Sequence, residues 1–161
     1  GLGFCASEKR AIRSVLRAGR EDIAVVVGGA RETGKMKRNE INVVLSNRKG
    51  VFELALEEGA ALVPVINFGE NELYNQVQYP WLERLQLKLL KMLKIFPIVI
   101  YGRMLLFPEQ VPMTTVIGSP IQVQKISGKP TYEQIDDLRN RYIQALRELH
   151  DRHRHLSPGR P

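Results

Sequence analysis

The chain of 161 residues is 43% hydrophobic and 25% charged, an ordinary balance for a fold with one genuine core, and it holds no internal repeat or low-complexity tract. Its 24 Lys and Arg against 17 Asp and Glu give a formal charge of +7, which favours anionic partners: nucleic acid, acidic lipid head groups or a phosphate-bearing ligand. A lone cysteine, Cys5, excludes an internal disulfide and suits a reducing compartment or a cytosolic membrane face, and no apolar run reaches the roughly 18 residues of a spanning helix.

In chain order, Ser7 is placed to cap a helix running to about Arg17, with Ala11, Ile12, Val15 and Leu16 facing inward and Gly19 ending it. Residues 22–27 read as a short strand of the buried type that runs into Gly28-Gly29. Residues 29–35, Gly-Ala-Arg-Glu-Thr-Gly-Lys, spell a phosphate-binding loop up to its last letter. That loop needs Ser or Thr next, to hold magnesium, and then a helix to cap the phosphates. Met36 follows instead, and after a charged loop come β-branched Ile41, Val43 and Val44, so a glycine-rich turn at a strand end is the better reading. Residues 41–45 are then a second strand.

The stretch over residues 47–72 is the most informative. Val51, Phe52, Leu54, Ala55 and Leu56 fall on one broad helical face, Glu53, Glu57 and Glu58 lie mostly on the other, and Gly59 is a C-terminal stop. Residues 61–66 are apolar and β-branched, as a strand buried on both faces is, while Pro64 within it cannot donate to a ladder and makes it an edge or locally unpaired. Gly69-Glu70-Asn71-Glu72 then sets two carboxylates at the strand's end, where ligands of open α/β sheets bind. Arg48-Lys49-Gly50 puts cationic side chains beside a helix N-terminus, whose free amides attract anions. The plainer alternative is a helix–strand unit with solvated ends.

Over residues 80–106, Trp81, Leu82, Leu85, Leu89, Met92, Leu93 and Phe96 recur at helical spacing beside a basic stripe of Arg84, Lys88, Lys91 and Lys94. Such a helix suits either an anionic membrane interface, where lysine stems snorkel, or the surface of a core with a solvated lysine face. Pro97 ends or kinks it, residues 98–101 form a strand, and Gly102-Arg103 is a turn offering a cation. Residues 114–121 read as a final strand. Thr131 with Gln134 makes a capping-box start for a helix to about His153, with Ile135, Leu138, Tyr142, Ala145, Leu146 and Leu149 as its inward stripe. His150, His153 and His155 lack a supporting carboxylate set or closed ligand pattern, so no metal site is expected there, only a frayed cationic helix end. The alternation of strands and helices points to an α/β fold with a largely parallel central sheet flanked by helices, in a single domain over residues 1–155 with a disordered tail at 156–161.

Gly28-Gly29-Ala30-x-Glu32, Arg48-Lys49-Gly50, Val63-Pro64-Val65 and Phe68-Gly69-Glu70-Asn71-Glu72 with Tyr74 and Gln76 resemble, in order and spacing, the diacylglycerol acyltransferase type-two family, which also includes monoacylglycerol and wax-ester acyltransferases. The likeness continues more weakly through Gly102-Arg103, Val116-Ile117-Gly118-x-Pro120-Ile121 and the last helix, and so covers nearly the whole chain. A basic helix start followed by Val-Pro-Val also resembles the wider glycerolipid acyltransferases, in which such elements line the acyl-acceptor pocket. The family's His-Pro-His-Gly motif lies upstream of Gly-Gly-Ala-x-Glu, and this chain starts after it; none of its three histidines is followed by the required residues. Met104 stands where the family often has glycine, and the connection over residues 107–114 is compressed.

The resemblance implies a glycerolipid-acyltransferase-like fold and acyl transfer from acyl-coenzyme A to a lipid alcohol, with diacylglycerol as the expected acceptor and triacylglycerol as product. It implies no cofactor, acyl-CoA being a substrate. The expected catalytic residues are Glu32, Glu70, Asn71 and Glu72, with the carboxylates placing the acceptor or the upstream histidine and Asn71 donating to the acceptor or an oxyanion. Arg48, Lys49, Gly50, Pro64 and Arg103 are the expected substrate-binding residues, the cations meeting coenzyme A phosphates. The expected setting is a membrane surface, the cytosolic face of the endoplasmic reticulum or of a lipid droplet, with the segment inactive alone and apparently truncated at its N-terminus. The rival is a basic binding module for RNA or acidic membranes without catalysis. With aromatics at 7% and mostly at apolar positions, no nucleic-acid partner is expected.

Overall fold

A computed structural model describes residues 8–19, 22–26, 45, 49–76, 79–93, 100–102 and 107–157. The chain divides into two compact units, one drawn from residues 1–27, 45–64 and 117–149, the other from 28–44, 65–116 and 150–161.

The first unit is built on helices. Helix α1 (Lys9–Ala18) follows Glu8, which has extended backbone angles and no side-chain capping bond, so the expected cap at Ser7 falls outside the described residues. Helix α2 (Gly50–Glu58) ends as its sequence requires: Gly59 takes a left-handed φ of 70°, and the Ala60 N–H reaches back 3.0 Å to the Ala55 carbonyl. Helix α4 (Tyr132–His153), which belongs to this unit as far as Leu149, starts with both bonds of a capping box: Gln134 Oε1 accepts from the Thr131 N–H at 2.9 Å, and Thr131 Oγ1 from the Gln134 N–H at 3.3 Å. Phe52, Ala55 and Leu56 of α2 pack on Ile135, Leu138 and Tyr142 of α4, with Phe52 fully buried and meeting Tyr142 edge-on at 5.7 Å between centroids. Removing a buried Phe of this kind costs about 3–5 kcal/mol, so the aromatic pair anchors the core. Leu62 and Ile121 close it through an antiparallel bridge, exchanging backbone bonds of 3.0 and 2.8 Å.

Helix α1 joins this core differently from the sequence expectation. Its apolar residues Ala11, Ile12, Val15 and Leu16 are only partly covered, and none is buried. Its one-turn-spaced cations meet the acidic edge of α2 instead: Lys9 binds Glu53, Arg13 binds Glu57 and Glu58, and Arg17 binds Glu58. The three glutamates thus lie under another helix and not in bulk water.

The second unit contains strands β1 (Val65–Phe68), β2 (Asn75–Gln76), β3 (Ile100–Tyr101) and β4 (Thr114–Ile117), with helix α3 (Pro80–Leu93). Strand β1 pairs with β4, and β2 pairs antiparallel with β3 in the register Asn75–Tyr101 and Gln76–Ile100. Residues 61–66 do not form a strand buried on both faces. The regular strand starts at Val65, and Val65 and Asn67 are exposed while Ile66 and Phe68 are buried. One covered face with period two is what a sheet with one solvated side requires. The expected strand at residues 22–27 also differs: residues 22–26 are irregular and Val26 is 93% exposed. A β-branched run states a backbone preference and not that a neighbour will cover it.

Helix α3 begins with Pro80 in its first turn, where the missing N–H costs nothing. Its covered side is set by Leu82, Gln86 and Leu89, whereas Trp81 and Met92, from the same apolar stripe, are 65% and 79% exposed. A polar Gln86, only 4% exposed, breaks the apolar rule from which the face was read.

Candidate functional site

The turn after β1 carries the expected carboxylates. Gly69 has φ 92° and ψ −13°, and a Cβ there would be driven into the carbonyl oxygen of Pro112, with Pro112 C at 3.2 Å and Met113 Cα at 3.4 Å. Only glycine fits both the angle and the close backbone approach. Glu70–Glu72 then forms a 3-10 turn, with the Glu72 N–H donating to Gly69 O at 3.2 Å and the Leu73 N–H to Glu70 O at 3.3 Å. The Glu109 N–H donates to Leu73 O at 2.7 Å and so ties the turn's exit to the segment ahead of β4. On a turn of three residues, side chains two apart point in different directions. Glu70 is accordingly exposed and Glu72 is 6% exposed, so the two carboxylates are not a matched pair on one face. Asn71 lies between them, partly covered.

Two contacts around this turn escaped the sequence reading. Asn67 Nδ2 donates to Glu70 Oε2 at 3.2 Å, and Thr115 Oγ1 donates to Asn67 Oδ1 at 2.9 Å. Behind the turn, the His150 ring stacks on Phe68 at 6.0 Å between centroids and 22° between planes. His150 Nδ1 also lies 3.2 Å from Asp151 Oδ1. The end of α4 is therefore packed and not frayed, and a 3-10 turn (Arg154–Leu156) continues it into the segment expected as tail. Asn67 alternates with buried Phe68 and stands three residues before Glu70, a local signal that was available; Thr115 and His150 are distant in sequence and gave none.

Of the other expected residues, Lys49, Gly50 and Pro64 are described, and they belong to the first unit. Lys49 precedes α2, and its ammonium sits 4.4 Å from the centroid of the Tyr132 ring. The ring's negative face holds that charge near the helix start. Gly50 is the first residue of α2, where an added Cβ would meet Lys9 Cε at 3.3 Å. Pro64 is buried, and its carbonyl accepts from the Gly118 N–H at 2.8 Å, so the residue that cannot donate still takes part in the pairing. Glu32, Arg48 and Arg103 lie outside the described residues. Among the described residues, no cluster of His, Cys, Asp and Glu is placed to hold a metal ion.

The perturbed titrating groups lie away from the turn. Hydrogen bonding to Arg17 holds the Glu58 carboxyl below its ordinary value, against an opposing effect of desolvation, and the same bond raises Arg17. Burial raises the Tyr142 phenol.

The sequence pattern of the family described as Diacylglycerol acyltransferase matches residues 1–158. Diacylglycerol O-acyltransferase 2 of Danio rerio is 37% identical over 164 residues, covering 94% of this chain and 45% of that protein. Diacylglycerol O-acyltransferase 2 of Homo sapiens is 40% identical over 142 residues, 82% of this chain and 36% of that protein. A 2-acylglycerol O-acyltransferase 1 of Bos taurus is 36% identical over 158 residues, 92% and 47% respectively. The chain thus spans less than half the length of each of these relatives. No solved structure matches it. With its motifs in order and the family pattern running through nearly all of its residues, the chain belongs to the diacylglycerol acyltransferase family.

Proposed function

We propose that this chain forms part of an acyl-CoA-dependent O-acyltransferase whose acceptor is diacylglycerol, within a largely parallel α/β fold of the glycerolipid-acyltransferase type. The observation that carries the reading is the turn Phe68–Glu72: a family motif held by Gly69 against Pro112, with the Glu70 carboxylate exposed at a strand end. In the reaction, the acceptor's hydroxyl oxygen attacks the thioester carbon, the carbon–sulfur bond breaks, and coenzyme A leaves as the thiol. A base must take the hydroxyl proton, and donors must meet the oxyanion that develops. The base is the histidine of the His-Pro-His-Gly motif. Glu70 accepts a hydrogen bond from the acceptor hydroxyl or that histidine, with Asn71 beside it on the same turn. Lys49, at the start of α2, is the described cation that the resemblance assigns to a coenzyme A phosphate.

The work takes place at a membrane surface, on the cytosolic face of the endoplasmic reticulum or of a lipid droplet. Among the described residues no helix is long and apolar enough to cross a membrane. Helix α3 offers a docking face instead: Trp81, Leu85, Lys88 and Met92 are exposed along one side, with Arg84 beside them and Tyr79 stacked on Trp81 at 6.4 Å.

The test is a chimera in which this chain replaces the corresponding part of the Danio rerio relative, assayed for triacylglycerol made from diacylglycerol and labelled acyl-CoA. Losing a hydrogen bond to a charged group costs about 1.5–3 kcal/mol, so Glu70→Gln is expected to lower turnover roughly 10- to 150-fold with melting unchanged. The purified 161-residue chain is expected to make none. Full activity of Glu70→Gln removes the turn from the mechanism, and robust synthesis by the chain alone overturns the need for the histidine motif.

A further inference from the structure

We propose that Asn67 and Thr115 are positioning residues for Glu70, an inference that rests on the catalytic reading of that carboxylate. The polarity of the contacts follows from which groups can donate. A carboxylate only accepts hydrogen bonds, so Asn67 must turn its NH2 toward Glu70, and Nδ2 stands 3.2 Å from Oε2. That leaves Asn67 Oδ1 as an acceptor, which the Thr115 hydroxyl meets as donor at 2.9 Å. Hydrogen bonds therefore run from Thr115 through Asn67 to Glu70 in one direction, each strengthening the next.

All three side chains are exposed, so none is present to fill the core. Their backbones are the stiff part of the arrangement. Asn67 lies on β1 and Thr115 on β4, strands that pair directly, whereas Glu70 is on a turn. A glutamate on an exposed turn samples several staggered rotamers, and a reacting group needs one. The strand pair supplies the fixed end: Thr115 holds the Asn67 amide in one orientation, and that amide commits Oε2. The remaining oxygen, Oε1, is then the one that takes the hydroxyl proton's hydrogen bond in acyl transfer.

The experiment uses the full 161-residue chain and side-chain NMR. In the wild type one Asn67 amide proton is expected downfield of a solvated asparagine, and Glu70 is expected to show χ1 couplings of a single rotamer. Thr115→Val keeps the shape and the strand preference but not the donor; it is expected to move that proton to the solvated position and to average the Glu70 couplings. Thr115→Ser restores both signals, and Glu70→Ala moves the proton alone. Asn67→Ser is a second variant and averages the Glu70 couplings with Thr115 intact. Backbone amide spectra that overlay away from β1, β4 and the turn show that each variant is folded. If the Asn67 proton and the Glu70 couplings in Thr115→Val and Asn67→Ser match the wild type, the inference falls, even where Glu70→Gln proves inactive in the acyl-transfer chimera. If the relay signals behave as expected while Glu70→Gln is fully active, it is the catalytic reading that falls.

Discussion

Substituting Gly69 by Ala tests whether the turn is held as tightly as its geometry indicates. At φ 92°, a residue with a Cβ is strained by about 1–3 kcal/mol. The added carbon would also be driven into the Pro112 carbonyl, a backbone atom that cannot swing away, and overpacking of that kind adds about 1–3 kcal/mol. The sum, about 2–6 kcal/mol, corresponds to a melting temperature roughly 6–18 °C lower for a chain of this length. Gly19 provides the control, because it also has positive φ, at 63°, but nothing lies within 4 Å of its would-be Cβ. Gly19→Ala is expected to lose only the left-handed penalty, about 1–2 kcal/mol. The entropy that alanine removes from the unfolded chain is common to both substitutions and cancels in their difference. Thermal melts followed by circular dichroism supply the readout. A Gly69→Ala protein that melts within about 3 °C of Gly19→Ala would refute the close approach to Pro112.

The ion pairs between α1 and α2 should make their association sensitive to acid and salt. Glu58 is held below its ordinary value of 4.5, so its stabilising effect is present above that value and lost as pH falls beneath it through the lowered folded value. Protection of the α1 amides relative to their intrinsic exchange rate is expected to fall over that acid range and in high salt, and Glu58→Gln should remove much of the acid effect; unchanged protection would sink the clasp. Tyr142 acts at the opposite end of the scale. Its phenol is raised from 10.0 by burial, so its contribution is complete below that value and lost as pH rises above it, when the unfolded chain gives up its proton first. Tyr142→Phe is expected to flatten the alkaline limb of the melting profile, and an identical limb in the variant would refute the burial argument. For α3, sedimentation with anionic vesicles should weaken in Trp81→Ala and in Met92→Ala, whose side chains are exposed; equal binding would remove the docking face.

Features whose causes are local were legible in the sequence. Gly19 and Gly59 end their helices because a left-handed residue there satisfies the last carbonyls, and no distant group is needed. Thr131 and Gln134 are three residues apart, so their reciprocal cap could be read from spacing alone. The stripes through Phe52 and Ala55 and through Ile135, Leu138 and Tyr142 showed which face each helix buries. The family motif likewise marked Gly69–Glu72 as the place to look.

Partners distant along the chain were decided only by tertiary structure. Glu53, Glu57 and Glu58 could be placed on the non-apolar side of their helix but not paired, because their cations are more than 40 residues earlier, in a helix whose spacing of four happens to match the acidic row. The stripe through Trp81 and Met92 suited a membrane interface or a core equally, because helical spacing defines a stripe but not what lies against it, and both residues are exposed. Glu70 and Glu72 shared a motif, yet the 3-10 turn separated an exposed carboxylate from a buried one. Thr115 came to Asn67 from 48 residues away through the pairing of β1 and β4. The sequence by itself determined where the chain turns, which helical faces are apolar and which family the chain resembles, since these follow from backbone preference and short spacing. Burial, ion-pair partners and the orientation of Glu70 depend on surfaces brought together across the chain, and only the folded structure decides them.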